Sequence, residues 1–134
     1  MKKNIAWNLG MAALVLLSGI VQAEVVVVVG AGSSAGSMSK EQVADVFMGK
    51  GGDMVAVDQG EGALREEFST KVIGKSTTQV KTHWSKAAFT GKGNPPHEAA
   101  NSGEVKKLVA ANPKQIGYIE KSAVDGTVKV VLTP

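Results

Sequence analysis

Five consecutive valines follow Glu24, and beyond them the apolar positions change from an unbroken run to spacings of three and four. An unbroken β-branched run is the pattern of a strand covered on both faces, as in a parallel sheet. Ser39 then opens a helix: Gln42 stands three residues on in a capping-box pattern, and Val43, Val46 and Phe47 share one face. The glycines of residues 49–52 end that segment, and residues 54–57 predict a second short strand. From Gly60 to about Val72 the chain predicts a helix, with Leu64, Phe68 and Val72 spaced by four. Ser76 is placed to cap a third helix, in which Val80, Trp84 and Ala88 share a face and Gly91 is the stop. Residues 91–96 read as a loop, and Ser102 as the cap of a fourth helix bearing Val105, Leu108 and Val109. Asn112 and Pro113 break it, and residues 116–119 and 128–132 predict the last strands. Alternation of this kind predicts an α/β fold, a mainly parallel sheet flanked by helices.

The N-terminus follows a different rule. Lys2 and Lys3 precede an apolar run over residues 11–20, and Val21, Gln22 and Ala23 follow with a small residue at the cleavage-type position. This predicts a secretory signal peptide over residues 1–23, since the run is too short for a stable transmembrane span. Residues 24–134 then form one domain, large enough to bury roughly two-thirds of its unfolded surface. No second apolar segment of that length follows, so the processed chain is expected to be soluble.

Removing Lys2 and Lys3 lowers the formal charge from +3 to +1, so much of the basic balance belongs to the leader. No basic patch with interleaved aromatics points to nucleic acid. Cysteine is absent, which excludes disulfides and thiol chemistry. An exported chain of that kind fits the periplasm better than a disulfide-stapled secreted scaffold.

Candidate chemistry concentrates in two turns. After the first strand, Gly30, Ala31, Gly32 and Gly36 resemble a dinucleotide-binding turn, and residues 32–36 also spell the G-x-S-x-G of a nucleophile elbow. The first reading lacks an acidic residue ending the second strand. The second has Asp58 and His83 or His97 in the right order after Ser34, but no upstream segment for an oxyanion loop. A small-residue connection is the simpler reading, with Ser33, Ser34 and Ser37 offering hydroxyls to an anion. His83 and His97 have no paired ligand spacing, so no metal is expected. Glu66 and Glu67 are neighbours on one helix and point apart, which suits a solvated face. Trp84 and Phe89 read as core or loop anchors.

The second turn leads from strand to helix at Gly60, Glu61, Gly62 and Ala63, where unpaired backbone N–H groups meet a positive dipole end. Four blocks in order, SKEQVADVFMGK, VDQGEGALREEF, HWSKAAFTGKGNPP and IGYIE, resemble the C-terminal lobe of the phosphate-binding proteins that serve ABC importers. The resemblance covers nearly all of the chain after residue 38 but one lobe of a two-lobed fold. It implies a single periplasmic-binding-protein-like lobe, no enzymatic activity, no cofactor, and phosphate or a similar small anion as ligand. In that family the matching segment reads R-x-D-G-S-G-T, and its hydroxyls, amides and Arg hold the anion. Laid on this chain it covers residues 57–63: both glycines are kept, while Val57, Gln59, Glu61 and Ala63 replace Arg, Asp, Ser and Thr.

Those replacements remove charge-assisted bonds of roughly 1.5–3 kcal/mol each where a charged group takes part. Glu61 adds a carboxylate that is placed either to exclude the anion or to cap its own helix. Arg65, one turn on, is placed either to restore positive charge or to pair with Glu61. The expected ligand set is therefore Gly60, Glu61, Gly62, Ala63 and Arg65, with Ser33 and Ser34 from the other turn. The alternative is a ligand-free interaction module, acting on a membrane transporter or another envelope protein, or pairing as a homodimer. A bare lobe leaves exposed the face its missing half would cover.

Overall fold

The computed structural model of the protein describes residues 24–134, so the leader expected over residues 1–23 lies outside the described residues. The strands are β1 (Val25–Gly30), β2 (Val55–Gln59), β3 (His97–Ala99), β4 (Gln115–Glu120) and β5 (Val128–Leu132). The α-helices are α1 (Lys40–Phe47), α2 (Ala63–Phe68), α3 (Thr77–Phe89) and α4 (Ser102–Ala111). A π-helical turn, Ser69–Ile73, prolongs α2 and stops at Gly74, whose φ of +77° is a left-handed conformation suited to glycine.

The sheet has five strands in the order β3-β2-β4-β1-β5. β2 is parallel to β3 and to β4, whereas β1 is antiparallel to both β4 and β5. Four strands therefore share a direction and β1 runs against them. This corrects the expectation that the valine run marks a strand within parallel neighbours. Its pattern reports burial, and the helices on both sides supply that whichever way the neighbours run.

Alternate valines of β1 serve different layers. Val25, Val27 and Val29 pack with Val43, Phe47, Phe68 and Tyr118 on the side of α1 and α2. Val26 and Val28 pack with Val105, Val109 and Ile119 on the side of α4. Each buried valine contributes about 1.5–3 kcal/mol relative to an exposed one, so this strand anchors both layers. On the α4 side the sheet must be thin. A Cβ on Gly117 would lie 2.5 Å from Val105 Cγ1, so glycine lets the helix settle onto β4.

The capping box at Ser39 with Gln42 forms as its spacing predicts, and Ser76 caps α3 as expected, with Gln79 completing a second box. Other boundaries move. The helix expected from Gly60 begins at Ala63 with Gly62 as its cap. Asn101, not Ser102, caps α4, its side chain accepting from Glu104 N at 3.0 Å. That frees the Ser102 hydroxyl to accept from Gln59 Nε2 at 3.3 Å. His97, expected in a loop, opens β3 and aligns with Val57. Phe89 is not a core anchor: it is 94% exposed. Trp84 does anchor loops, its ring lying against Gly49 and Gly93.

Candidate functional site

β2, β3 and β4 run parallel, so Gln59, Ala99 and Glu120 bring their carboxyl ends to one edge of the sheet. Crevices outside the carboxyl ends of such strands are where open α/β sheets hold ligands. A cleft of about 440 Å³ lies there, lined by residues 59–65, residues 100–103 and Glu120. Two helices begin at this cleft, α2 after Gly62 and α4 after Asn101. Gly62 offers no side-chain cap, so the first N–H groups of α2 lack intrahelical and cap partners. Both dipoles present their positive ends to the same space.

A hydrogen-bonded network holds the end of β2 beside this cleft. Gln59 Nε2 donates to Tyr118 O at 2.7 Å, tying the end of β2 to β4 across the sheet. The Tyr118 hydroxyl donates to Asp58 Oδ1, which also accepts from Gln59 N at 2.8 Å. Phe68 stacks on the Tyr118 ring with centroids 4.1 Å apart. Burial, reinforced by the Asp58 charge, pushes the Tyr118 phenol far above its ordinary value, so it remains a donor.

Arg65 projects from the first turn of α2 into the wall of the cleft, and its side chain is 10% exposed. Its guanidinium stands 3.5 Å from Asp58 Oδ2 and 3.5 Å from Glu98 Oε2. Glu61 pairs instead with Lys81 on α3, which holds its carboxyl below the usual range. Neither expectation for Glu61 within its own helix is met. It precedes the cap Gly62 and so stands off the helix, where i,i+4 pairing with Arg65 does not apply.

Gly60, Glu61, Gly62, Ala63 and Arg65 are thus brought together around one cleft. Ser33 and Ser34 are not among them. β1 runs against β4, so its end at Gly30 reaches the opposite edge of the sheet, beside the start of β4. Ser33 is buried there, its hydroxyl accepting from Ala35 N at 3.2 Å and its carbonyl from Lys129 Nζ at 2.8 Å. The same topology separates Ser34 from Asp58, and the elbow with its triad does not assemble. His83 contacts the Met48 carbonyl at 3.2 Å through Nε2. Among the described residues no cluster of three or more His, Asp or Glu side chains could hold a metal ion. No helix among them is long and apolar enough to cross a membrane.

Sequence reading missed Lys81, Glu98, Tyr118, Asn101 and Ser102 as neighbours of the turn. They arrive from α3, β3, β4 and α4, so no local spacing announces them. The one local sign was Asn101, a strong capping residue just before a periodic apolar segment.

A second cleft of about 390 Å³ shares Arg65 as a wall, and Asp58, Lys81, Trp84, Ser85, Ala88, Pro95, Pro96 and Glu98 complete its lining.

No protein-family model and no curated protein matches this sequence. Solved structures do match. A phosphate ABC transporter substrate-binding protein with bound phosphate from Clostridium perfringens superimposes with TM-score 0.62 at 22% identity, over 81% of this chain and 44% of that one. An ABC-type phosphate transport receptor from Vibrio cholerae gives TM-score 0.53 at 18% identity, over 81% and 45%. PstS from Borrelia burgdorferi gives 0.52 at 13% identity, over 81% and 46%. The protein spans a little under half the length of each of these three. It therefore has the α/β fold of one part of the phosphate-transport substrate-binding proteins.

Proposed function

We propose that this chain is an exported, non-enzymatic domain that receives a small oxyanion of the phosphate class in the cleft at the Gly60 turn. The observation that carries the reading is the convergence of two helix N-termini on that cleft, one without a side-chain cap. Backbone N–H groups of Gly62, Ala63, Ser102 and Gly103 are the donors nearest such a ligand. They act as fixed partial charges that favour an anion without requiring a cationic side chain. Arg65 adds long-range attraction from the wall, discounted by its two carboxylate neighbours.

The affinity this arrangement supports is modest. Glu61 and Glu120 bring carboxylates to the same cleft, and Lys81 neutralises only the first. The likeness to phosphate-transport proteins supports phosphate as the first anion to test, and a link to ABC transport as the setting. Export rests on Lys2, Lys3 and the apolar run that follows, and places the protein in the periplasm with Glu24 as its first residue. Titration of isotopically labelled protein with inorganic phosphate tests the site. Amide shifts confined to residues 60–65 and 101–104 are expected, and shifts elsewhere or none would contradict it.

A second reading, an interaction module without ligand, is favoured by one observation: the exposed phenyl ring of Phe89 on the outer end of α3.

A further inference from the structure

Arg65 belongs to the wall shared by both clefts, and its guanidinium is neutralised there without being bonded. The side chain is 10% exposed. Nη2 lies 3.5 Å from Asp58 Oδ2, and Nη1 lies 3.5 Å from Glu98 Oε2. An N–H···O bond closes at about 2.7–3.2 Å, so each carboxylate balances the fork without accepting from it. Asp58 Oδ1 is already taken by the Tyr118 hydroxyl and Gln59 N, which leaves Oδ2 facing Arg65. Both pairs border the second cleft of about 390 Å³, where Trp84, Pro95 and Pro96 form an apolar wall.

We propose that this second cleft binds a vicinal diol of the sugar class, about one pyranose ring in size. One hydroxyl bridges Arg65 and Asp58, and its neighbour bridges Arg65 and Glu98. A hydroxyl both donates and accepts, so it suits a gap with an N–H on one side and a carboxylate on the other. An oxygen about 2.9 Å from both atoms of a 3.5 Å pair satisfies each at an ordinary length. Nη1 and Nη2 share one carbon in a planar fork, so the two bridging oxygens fall side by side. Hydroxyls on adjacent ring carbons stand in that relation. The carbon face of the ring then lies against Trp84, Pro95 and Pro96, and the cleft has the size of a small-molecule site.

Charge decides between ligand classes. Arg65 and Lys81 balance Asp58 and Glu98 in the lining, so a net-charged ligand gains no overall attraction. The charges of Arg65, Asp58 and Glu98 stand side by side, so a zwitterion finds no separated poles to span. A neutral polyol needs neither, and its hydrogen bonds to ionised groups are of the stronger kind.

The rim is wet, since the Lys81 and Glu98 side chains are about half exposed, and a dissociation constant of about 1 mM is expected. This site uses none of the N–H groups at the Gly60 turn, so it stands or falls separately from anion binding.

Fluorescence tests it. Trp7→Phe leaves Trp84 as the one tryptophan, so indole emission then reports on this cleft. Titration with the methyl glycosides of glucose, galactose and mannose should give a saturable shift with at least one of them. Cyclohexanol, a ring with a single hydroxyl, should give none. Glu98→Ala removes one acceptor from a side chain that is 54% exposed. It should raise the dissociation constant about tenfold and leave thermal unfolding nearly unchanged. Arg65→Lys keeps the charge beside Asp58 but not the fork, and should weaken binding at least as much. Glu61→Ser should leave sugar binding unaltered. No saturable response to any of the three glycosides overturns the proposal. So does cyclohexanol binding as well as the sugars, because the apolar wall alone then accounts for it. Affinity indifferent to Glu98→Ala overturns it as well.

Discussion

Arg65 Nη2 stands 3.5 Å from Asp58 Oδ2, in the wall that divides the two clefts. The pair spans a single strand–turn–helix unit, because the first turn of α2 folds back onto the end of β2. A side chain that looked free to meet a ligand is thereby committed to a neighbour. Its value to an anion is the field it leaves over, after Asp58 and Glu98 have taken their share.

Arg65→Ala should consequently act first on stability. It leaves the buried Asp58 carboxylate without its cation, which costs about 3–5 kcal/mol when a buried pair is broken from one side. Urea denaturation should show the midpoint falling with an unchanged slope. A loss below about 1 kcal/mol would mean that the pair is no stronger than a surface contact.

Tyr118 gives a prediction in pH. Its phenol is neutral when protonated, and the folded chain raises its pKa above the unfolded value of about 10. The stabilisation tied to the protonated phenol is complete below that pH and is lost as pH rises past it. As the sequence has one tyrosine, phenolate absorbance should appear only together with alkaline unfolding. Phenolate formation in a chain that remains folded by circular dichroism would contradict this. Tyr118→Phe keeps the stacked ring but removes a donor from Asp58, and should cost about 1–3 kcal/mol at neutral pH.

Two glycines should respond to very different degrees. Gly117→Ala drives a methyl to 2.5 Å from Val105 Cγ1 and should destabilise by about 1–3 kcal/mol through overpacking. A Cβ on Gly32 meets nothing within 4 Å, so Gly32→Ala should change stability by less than about 0.5 kcal/mol. Thermal melts of both variants check the pair. A large loss at Gly32 would show that the turn after β1 is more than a connection.

The contrast between those glycines shows what the sequence could disclose. The capping box at Ser39 and the cap at Ser76 were legible because the groups they join lie three residues apart. The valine run disclosed two-sided burial, yet not that β1 opposes its neighbours, because strand direction is settled by non-local pairing. The same reversal carries Ser33 and Ser34 to the far edge, a separation that no spacing along the chain reveals. At the Gly60 turn the glycines and the dipole were legible. The partners of Arg65 and Glu61 were not, since Glu98 and Lys81 come from β3 and α3. Phe89 was misjudged because an aromatic in an amphipathic helix normally faces the core.

The central claim, that an oxyanion enters the cleft at Gly60, Glu61 and Gly62, is tested most directly by calorimetric titration with phosphate. Wild type, Glu61→Ser and the double variant Ser33→Ala with Ser34→Ala should be compared, with sulfate and acetate as controls. Glu61→Ser removes a carboxylate and adds a hydroxyl, so phosphate affinity should rise about tenfold, the equivalent of about 1.4 kcal/mol. The serine double variant should match the wild type, because those residues lie at the opposite edge. Phosphate heat absent from both the wild type and Glu61→Ser would contradict the account. So would binding lost with Ser33 and Ser34.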